Sequence, residues 1–600
     1  MDKVVIDTEV YKNFFLLTAK SLTTGNVRYY ELSDRSELDF DGLRRIMSNY
    51  TTISFNGIAF DIPIISLALR GGSTEELKYL CDNLIGQKIK PWDIRDKAIK
   101  NWDHIDLIGL VKKGSSLKIL GAIMGAKKLQ DLPIEPSALL THDDMDVIRS
   151  YCLNDVETTQ LLYEKLNNAV SLRERMSDLY KVDLRSKTDA QIAETILKHR
   201  LFKMTGIDYK KPDARKIKDF VRYEDPKIIT FQSEELNRIK DSLIKTEFRL
   251  DDTYSLVAPA FLKNLKITIG ATTYTIGLGG LHSNEKGKSY RETDTKRLFE
   301  LDGESFYPSI MLQQKIFPDS VGEAFLTVLA EILKERLHAK HNSKDPALKE
   351  VAEILKIAIN GLFGKLGSVY SFLFSPNLLL QTTITGQLST LMLIEMLENK
   401  GVNVVSANTD GIVVYCDVDK MDTVYEIMFE WMMRTSVKLD KTDYKVISSR
   451  DVNNYLAIKK NGDIKRKGCF AIGGLSKNLD RNIIYTAITE FVNNGVPIDK
   501  TIKECKDINQ FFIAKKLSHG AEFNGVKLGK AIRYYFSNDT TENRVINAFD
   551  SNGNIRGKVS LSDNAKPLMN LPDSLPKDID YNRYITDSYS VLKGVGYLND

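Results

Sequence analysis

The chain has 600 residues, 42% hydrophobic, 9% aromatic and 27% charged, a balance that excludes disorder as its main state and supplies apolar material for several cores. Its formal charge of +4, from 84 Lys and Arg against 80 Asp and Glu, is too small to name a partner, so only local clustering of charge is informative. The five scattered cysteines, Cys81, Cys152, Cys416, Cys469 and Cys505, contain no CxxC pair, which argues against a disulfide framework and a zinc ribbon and points to a reducing compartment. MDKVVIDTEVYKN carries no basic segment ahead of an apolar one, and no apolar run approaches the roughly 18 to 20 residues of a bilayer span. The expectation is a cytoplasmic protein with no membrane contact.

The chain opens in α/β fashion. Val4 to Asp7 and Phe14 to Thr18 read as strands on either side of a polar turn, followed by an amphipathic segment near Leu43 to Met47 and a strand at Thr51 to Phe55. Asp7 and Glu9 stand two apart at the end of the first apolar run, where a strand places both on one face. In SFNGIAFDIPII, Asp61 is an acid set between Phe60 and a run of Ile and Pro, a position that costs several kcal/mol unless the charge is paired or metal-bound. A helical pattern over Asp146 to Leu166 then places Tyr151 and Asp155 at i and i+4 on one face. Four carboxylates, Asp7, Glu9, Asp61 and Asp155, suffice for two divalent ions about 4 Å apart, the arrangement of phosphodiester hydrolysis.

Lys187 to Lys203 is helical in pattern, and Phe261 to Leu281 turns β-rich and ends in GLGGLHS. RLFELDGESFYPSIM delivers Asp302 at the end of a short strand, with Ser305, Phe306, Tyr307 and Pro308 expected as a turn because proline does not continue a central strand. Two helical patterns from Glu323 to Phe363 flank the polar turn HNSKDP and predict a helical hairpin. On it, Arg336 and Lys340 share one face, and Lys356, Asn360 and Gly364 another, a cation, an amide and an exposed backbone suited to a triphosphate and a base pair. Val402 to Ala407 and Ile412 to Tyr415 flank NTDG as a hairpin with Asp410 at its tip. Asp302 and Asp410 together suffice to anchor two Mg²⁺, since that ion commonly takes one or two carboxylates and completes its shell with phosphates and water. Past this hairpin, NNYLAIKKNGDIKRKGCF carries Lys459, Lys460, Lys465, Arg466 and Lys467 beside Tyr455, a basic β-hairpin fit to clamp phosphate. KLGKAIRYYFSN interleaves aromatic and basic residues, and the chain ends in a polar, proline-containing tail.

DTE, NGIAFD and YCLND, in this order, resemble the three motifs of the DEDD-type 3′ to 5′ proofreading exonucleases that carry tyrosine in the last motif. By that likeness Tyr151 orients the attacking water, and Lys118 stands where related phage enzymes carry an assisting lysine. DGESFYPSI, KIAINGLFG and NTDG resemble the DxxSLYPS, KxxxNSxYG and DTDS motifs of family B DNA polymerases, and the likeness spans essentially the whole chain. It implies a multidomain α/β and α+β protein: an RNase H-like 3′ to 5′ exonuclease domain followed by a right-hand polymerase. The implied domains are an exonuclease over 1–175, a mainly helical connection over 176–260, a palm over 261–321 and 366–468, a fingers hairpin over 322–365, and a thumb with the C-terminal region over 469–600.

The resemblance further implies a bacteriophage-type replicative DNA polymerase with intrinsic proofreading, acting as a monomer on primer-template DNA and dNTPs with two Mg²⁺ per active site, or Mn²⁺. Asp302 and Asp410 would hold the polymerase ions, and Asp7, Glu9, Asp61 and Asp155 those of the exonuclease. Lys356, Asn360, Arg336, Lys340, Ser305, Phe306 and Tyr307 would meet the nucleotide, Tyr307 by packing under its deoxyribose. Gly279 and Gly280 would contact template, and Tyr455, Lys465 and Lys467 the primer. Asn408 and Gly411 replace the first aspartate and the serine of DTDS, and Gly361 and Phe363 replace the serine and tyrosine of the middle motif. Two other readings are a protein-primed replicase, for which the even spacing of Asp302, Lys356 and Asp410 leaves little room for insertions, and a 3′ to 5′ exonuclease on a non-catalytic DNA-binding scaffold.

Overall fold

The computed structural model describes residues 2–91, 94, 102–476, 479–539 and 545–598. They form two compact units. The first takes Met1–Thr188, Gly473–Thr486 and Asp499–Ile585, and the second Asp189–Ile472, Ala487–Ile498 and Thr586–Asp600. Among the described residues no helix is long and apolar enough to cross a membrane.

In the first unit, β1 (Lys3–Tyr11), β2 (Phe14–Ser21), β3 (Val27–Leu32), β4 (Thr51–Ser54) and β5 (His104–Asp106) form one sheet in the order β3-β2-β1-β4-β5. β1 and β2 are antiparallel partners over their whole length, joined by a two-residue turn, while β4 and β5 join as parallel strands. Helices α1 (Phe40–Asn49), α2 (Asp61–Leu69), α3 (Thr74–Ile85), α4 (Leu117–Met124), α5 (His142–Lys165) and α6 (Asn167–Tyr180) accompany it. A capping box opens α5: the Thr141 hydroxyl accepts from the Asp144 amide, and the Asp144 carboxylate accepts from the Thr141 amide. That start fixes the phase in which Met145, Ile148, Tyr151, Cys152 and Val156 face inward. β1 extends to Tyr11, so Asp7 and Glu9 lie within the strand and not at its end; strong antiparallel pairing with the Phe14–Leu17 run carries it on.

The second unit opens with α7 (Asp189–Thr205), followed by β6 (Phe220–Arg222), α8 (Glu234–Lys245), β7 (Glu247–Arg249), α9 (Ala260–Lys263), β8 (Ile267–Ile269), β9 (Thr272–Thr275), β10 (His282–Ser283), β11 (Lys288–Arg291) and β12 (Lys296–Gly303). Then come α10 (Phe306–Gln314), α11 (Ala324–His341), α12 (Pro346–Leu366), α13 (Pro376–Glu398), β13 (Val404–Asn408), β14 (Gly411–Asp417), α14 (Met421–Thr435), β15 (Leu439–Asp451), β16 (Asn454–Lys459) and β17 (Ile464–Lys467). Its large sheet runs β17-β16-β15-β12-β14-β13-β10-β9-β8, with β11 on β15, so β12 is an interior strand. Asp345 caps α12 and Pro346 takes its first position, where a missing N–H costs nothing; Ser375 and Pro376 do the same for α13. α13 is buried almost throughout, and its Thr382 and Thr390 hydroxyls donate back to the carbonyls of Leu378 and Gly386, which satisfies them in an apolar setting.

Two expectations are corrected here. Ser305 to Pro308 is no turn: Ser305 alone takes a left-handed φ of 50°, and Phe306 begins α10, with Pro308 tolerated in the first helical turn. The chain's end is more than a polar tail, because Tyr581–Gly594 is a helix whose buried Tyr584 ring lies 5.0 Å from that of Phe536 and whose hydroxyl donates to the Phe511 carbonyl.

Two candidate carboxylate sites

In the first unit, Asp7 and Glu9 share one face of β1, and α5 brings Cys152 against them. Single ligand atoms of Asp7, Glu9 and Cys152 all lie within 4.8 Å of one another. The Cys152 thiol donates to the Asp7 carbonyl and to its Oδ2, both at 3.6 Å. Burial, then the Asp7 and Glu9 charges, push that thiol well above its ordinary pKa, so it stays protonated and donates. Asp61 is the first residue of α2 and only 2% exposed; it accepts from the Thr8 hydroxyl at 2.6 Å. Asp155 is held by Lys118 of α4, whose ammonium lies 3.1 Å from Oδ2. The same ammonium donates to the Tyr151 hydroxyl and lies 4.4 Å from the centre of its ring.

The acids of this site repel. Burial and then the charges of Asp61, Asp155 and Glu9 hold the Asp7 carboxyl well above its usual range. Burial, followed by Asp155, pushes Glu9 up to about 8, and burial alone leads the rise of Asp61 to about 6. Burial raises Asp155 too, against the pull of Lys118. A cluster with several carboxylates driven towards neutrality and one lysine beside them is short of positive charge. Its oxygen donors are the hard set that suits Mg²⁺ or Mn²⁺.

In the second unit, Asp302 on β12 pairs with Gly411 of β14 on one side and Asp440 of β15 on the other. Asn408 pairs with Gly411 to close a two-residue turn, in which Thr409 has a φ of 63° and Asp410 stands at the tip. The Gly303 amide donates to the Asp410 carbonyl at 3.0 Å and ties the turn to the end of β12. Although the Asp302 side chain is exposed, the protein packed beside it, then the charges of Asp410 and Glu300, push its carboxyl up to about 7. Burial first and Glu300 among the charges raise Asp410 as well. The all-oxygen donor set again fits a hard divalent cation.

Two positions at which the sequence departs from the motifs it resembles acquire physical reasons. A side chain at Gly411 would place its Cβ 3.0 Å from Asp302 Oδ1, so glycine leaves room for that carboxylate. A Cβ at Gly361 would come 2.7 Å from that of Ala193 and 2.8 Å from the Asp189 carbonyl, so glycine lets α12 close on α7. Asn408 turns its amide to Val452 O and Asn453 Oδ1, both at 3.3 Å.

Around this pair, Arg336 donates to the Ser305 hydroxyl at 2.9 Å, and burial lowers its guanidinium pKa. Lys340 bridges Glu304 at 3.1 Å and Asp440 at 3.3 Å. Lys356, Asn360 and Gly364 are exposed along α12. Phe363 of the same helix stacks on Tyr307 with ring centres 4.4 Å apart, and the Tyr307 hydroxyl donates to the Gly279 carbonyl at 3.1 Å. Phe306 is buried beside Tyr307, and Gly280 lies against Thr409 of the acid-bearing turn. Lys465 is ion-paired with Glu300 at 2.8 Å; burial works against its charge, but the Glu300 carboxylate outweighs it and holds the ammonium above its ordinary pKa. Lys467 lies 6.0 Å from the Tyr455 ring centre, its pKa lowered by burial and then by Lys465.

Sequence reasoning missed Glu300, Glu304 and Asp440 in this site and Thr8 and Cys152 in the other. Glu300 was readable, since it stands two before Asp302 as Asp7 stands two before Glu9. Asp440 was not, because only the pairing of β12 with β15 brings it opposite Asp302. No protein-family profile and no curated protein matches the chain. Among solved structures, the family B DNA polymerase from the hyperthermophilic archaeon Pyrobaculum calidifontis is similar over 100% of this chain and 78% of that one, with 14% identity and a TM-score of 0.42.

Proposed function

We propose that this chain is a family B, template-directed DNA polymerase that extends a primer 3′-hydroxyl with dNTPs and removes mispaired ends with its own 3′ to 5′ exonuclease. The observation that carries the reading is the presentation of Asp302 and Asp410 at the ends of paired strands, beside a tyrosine stacked on the helix that bears Lys356 and Asn360. Asp302 and Asp410 would hold Mg²⁺ or Mn²⁺, which supplies charge neutralisation on a triphosphate and a more acidic primer hydroxyl. Lys356 reaches the phosphates as a flexible cation, with Arg336 and Lys340 as further positive charge, and Asn360 and Gly364 line the nascent pair. Ser305 positions Arg336 through its hydroxyl. Tyr307 excludes a 2′-hydroxyl with its ring face. Gly279 and Gly280 admit template backbone, while Tyr455 and Lys467, with Lys465 holding Glu300 in place, steady the primer end.

In the exonuclease, Asp7, Glu9, Asp61 and Asp155 form the cation site and Tyr151 orients the water, its hydroxyl fixed by Lys118. On this reading the enzyme works as a monomer on primer-template DNA, as a replicative polymerase of phage DNA. A labelled primer-template tests the reading. Extension is expected with all four dNTPs and Mg²⁺, and stepwise shortening with Mg²⁺ alone. A protein that shortens the primer but never extends it, with Mg²⁺ or Mn²⁺, would be a nuclease on a scaffold.

A further inference from the structure

Between α7 and β6 runs a segment to which nothing above gives a role. With the last turn of α7 its charged residues are Lys203, Asp208, Lys210, Lys211, Asp213, Arg215, Lys216, Lys218 and, next to β6, Asp219. Two of the three acids are already engaged, Asp208 with Lys198 at 2.7 Å and Asp213 with Arg215 at 3.0 Å, and the six cations outnumber the three acids. All six cations are exposed. The surplus is positive and open to solvent, as a polyanion requires.

Aromatic surface lies beside it. Tyr209 is buried and stacks on Phe372, with ring centres 6.4 Å apart. Two residues after Tyr209 and two before Phe372, on the outside, the Lys211 ammonium sits 6.0 Å from the centre of the Tyr370 ring. The inner ring pair therefore registers an outer pair of one cation and one aromatic. Tyr370 is 83% exposed, the most open of the large apolar side chains among the described residues, and its one described companion is that lysine. A tyrosine held at the surface in this way leaves most of its ring uncovered. Further along, Ile217 is half-buried while Lys216 and Lys218 on either side of it are exposed.

We infer that Tyr370 and the 203–218 segment form a track for single-stranded nucleic acid, in which a base stacks on Tyr370 while Lys210 and Lys211 meet the backbone phosphates. Alternating stacking rings and cations are what unpaired strands require, and duplex offers no free base face to such a ring. The inference stands on this surface and not on the polymerase reading; a pure nuclease would carry it equally.

The test uses the full chain in EDTA, so that no strand is degraded. Binding of fluorescent dT20 and rU20, and of a blunt 20-base-pair duplex, is followed by anisotropy across a salt series, and a dT20 carrying 5-iodouracil is photo-crosslinked and mapped. The expected crosslink falls on the peptide containing Tyr370. Tyr370→Ala should weaken single-strand binding by about 5- to 100-fold while Tyr370→Phe retains it, because the face and not the hydroxyl is used. Lys210→Ala with Lys211→Ala should reduce the slope of log affinity against log salt by about 1.4, two phosphate contacts at about 0.7 each, whereas Lys500→Ala with Lys506→Ala should leave it unchanged. Unchanged affinity in Tyr370→Ala together with crosslinks only elsewhere overturns the inference. So does binding of this surface to vesicles of phosphatidylserine with equal loss in the variants and no loss on dT20, which would make it a membrane contact.

Discussion

The two carboxylate sites answer the same electrostatic problem differently. In the first, Asp7, Glu9, Asp61 and Asp155 are gathered between a sheet and a helix with Lys118 as the neighbouring cation, and Glu9 is driven up to about 8. In the second, Asp302 and Asp410 sit at strand ends in a more open setting, and the surrounding acids are matched with cations: Glu300 with Lys465, Glu304 with Lys340 and Lys438. The comparison teaches what each site has to accommodate. On the function proposed above, a site for a single strand end and a water would be served by enclosure, while one for a triphosphate and a duplex would need an open face and mobile cations that can be exchanged from protein acids to substrate phosphates.

The largest effect expected is a clean separation of activities. Asp7→Ala with Glu9→Ala should reduce primer shortening by at least about 1000-fold, the several kcal/mol that a lost cation site represents, and leave extension within about twofold. Asp410→Ala should do the reverse. Both activities falling together in either variant would mean that the two clusters are not independent sites.

Next in size is sugar selection. Tyr307 is fixed from two sides, by stacking on Phe363 at 4.4 Å and by its bond to the Gly279 carbonyl at 3.1 Å, so its ring cannot yield to a 2′-hydroxyl. Removing a clash of ~1 to 3 kcal/mol in Tyr307→Ala should raise rNTP use relative to dNTP by roughly 10- to 200-fold. Tyr307→Phe, which keeps the ring, should retain discrimination; if it relaxes as far as the alanine variant, the hydroxyl and not the ring is the selector.

A third expectation uses the pKa difference between the sites. A carboxyl raised to about 7 is protonated below that pH and must lose its proton to bind a cation, so Mn²⁺ affinity at the Asp302 site should rise about tenfold per pH unit up to about 7 and then level. At the Glu9 site the rise should continue to about 8. Mn²⁺ titrations between pH 6 and 8.5 on the two alanine variants, each leaving one site, check this. Coincident profiles would remove the distinction between enclosed and open sites.

How much of this was legible in the sequence varies with the range of the interaction. Asp7 with Glu9, Tyr151 with Asp155, the helical hairpin and the NTDG turn are local patterns, fixed by strand or helix period and by turn chemistry, and the structure places them so. The role of Lys118 was not local: only the approach of α4 to α5 brings its ammonium to Tyr151 and Asp155. Asp440 depends on the pairing of β15 with β12, and Cys152 on the seating of α5 over β1. The SFYP segment misled because proline argues against a strand without arguing against the first turn of a helix.

The smallest effect is expected at Asn408, where the DTDS motif that NTDG resembles has an acid. Its amide donates to Val452 O and Asn453 Oδ1 at 3.3 Å, long bonds that tie the Asp410 turn to the connection between β15 and β16. A neutral amide so engaged is a poor ligand for Mg²⁺, which takes charged oxygen in preference. Asn408 is therefore a brace for the turn that carries Asp410. Its loss forfeits three weak bonds, the third accepted by its Oδ1 from the Thr409 hydroxyl at 3.3 Å, each worth about 0.5 to 1 kcal/mol at most, and the turn remains closed by the Asn408 to Gly411 backbone pairing. Asn408→Ala should then lower extension by less than about tenfold, measured on the same primer-template at saturating dNTP. Primer shortening, which the proposal assigns to the acids of the other unit, should not change. A loss as deep as that of Asp410→Ala would make position 408 a direct ligand and would bring this site closer to the enclosed one, with three donors in place of two.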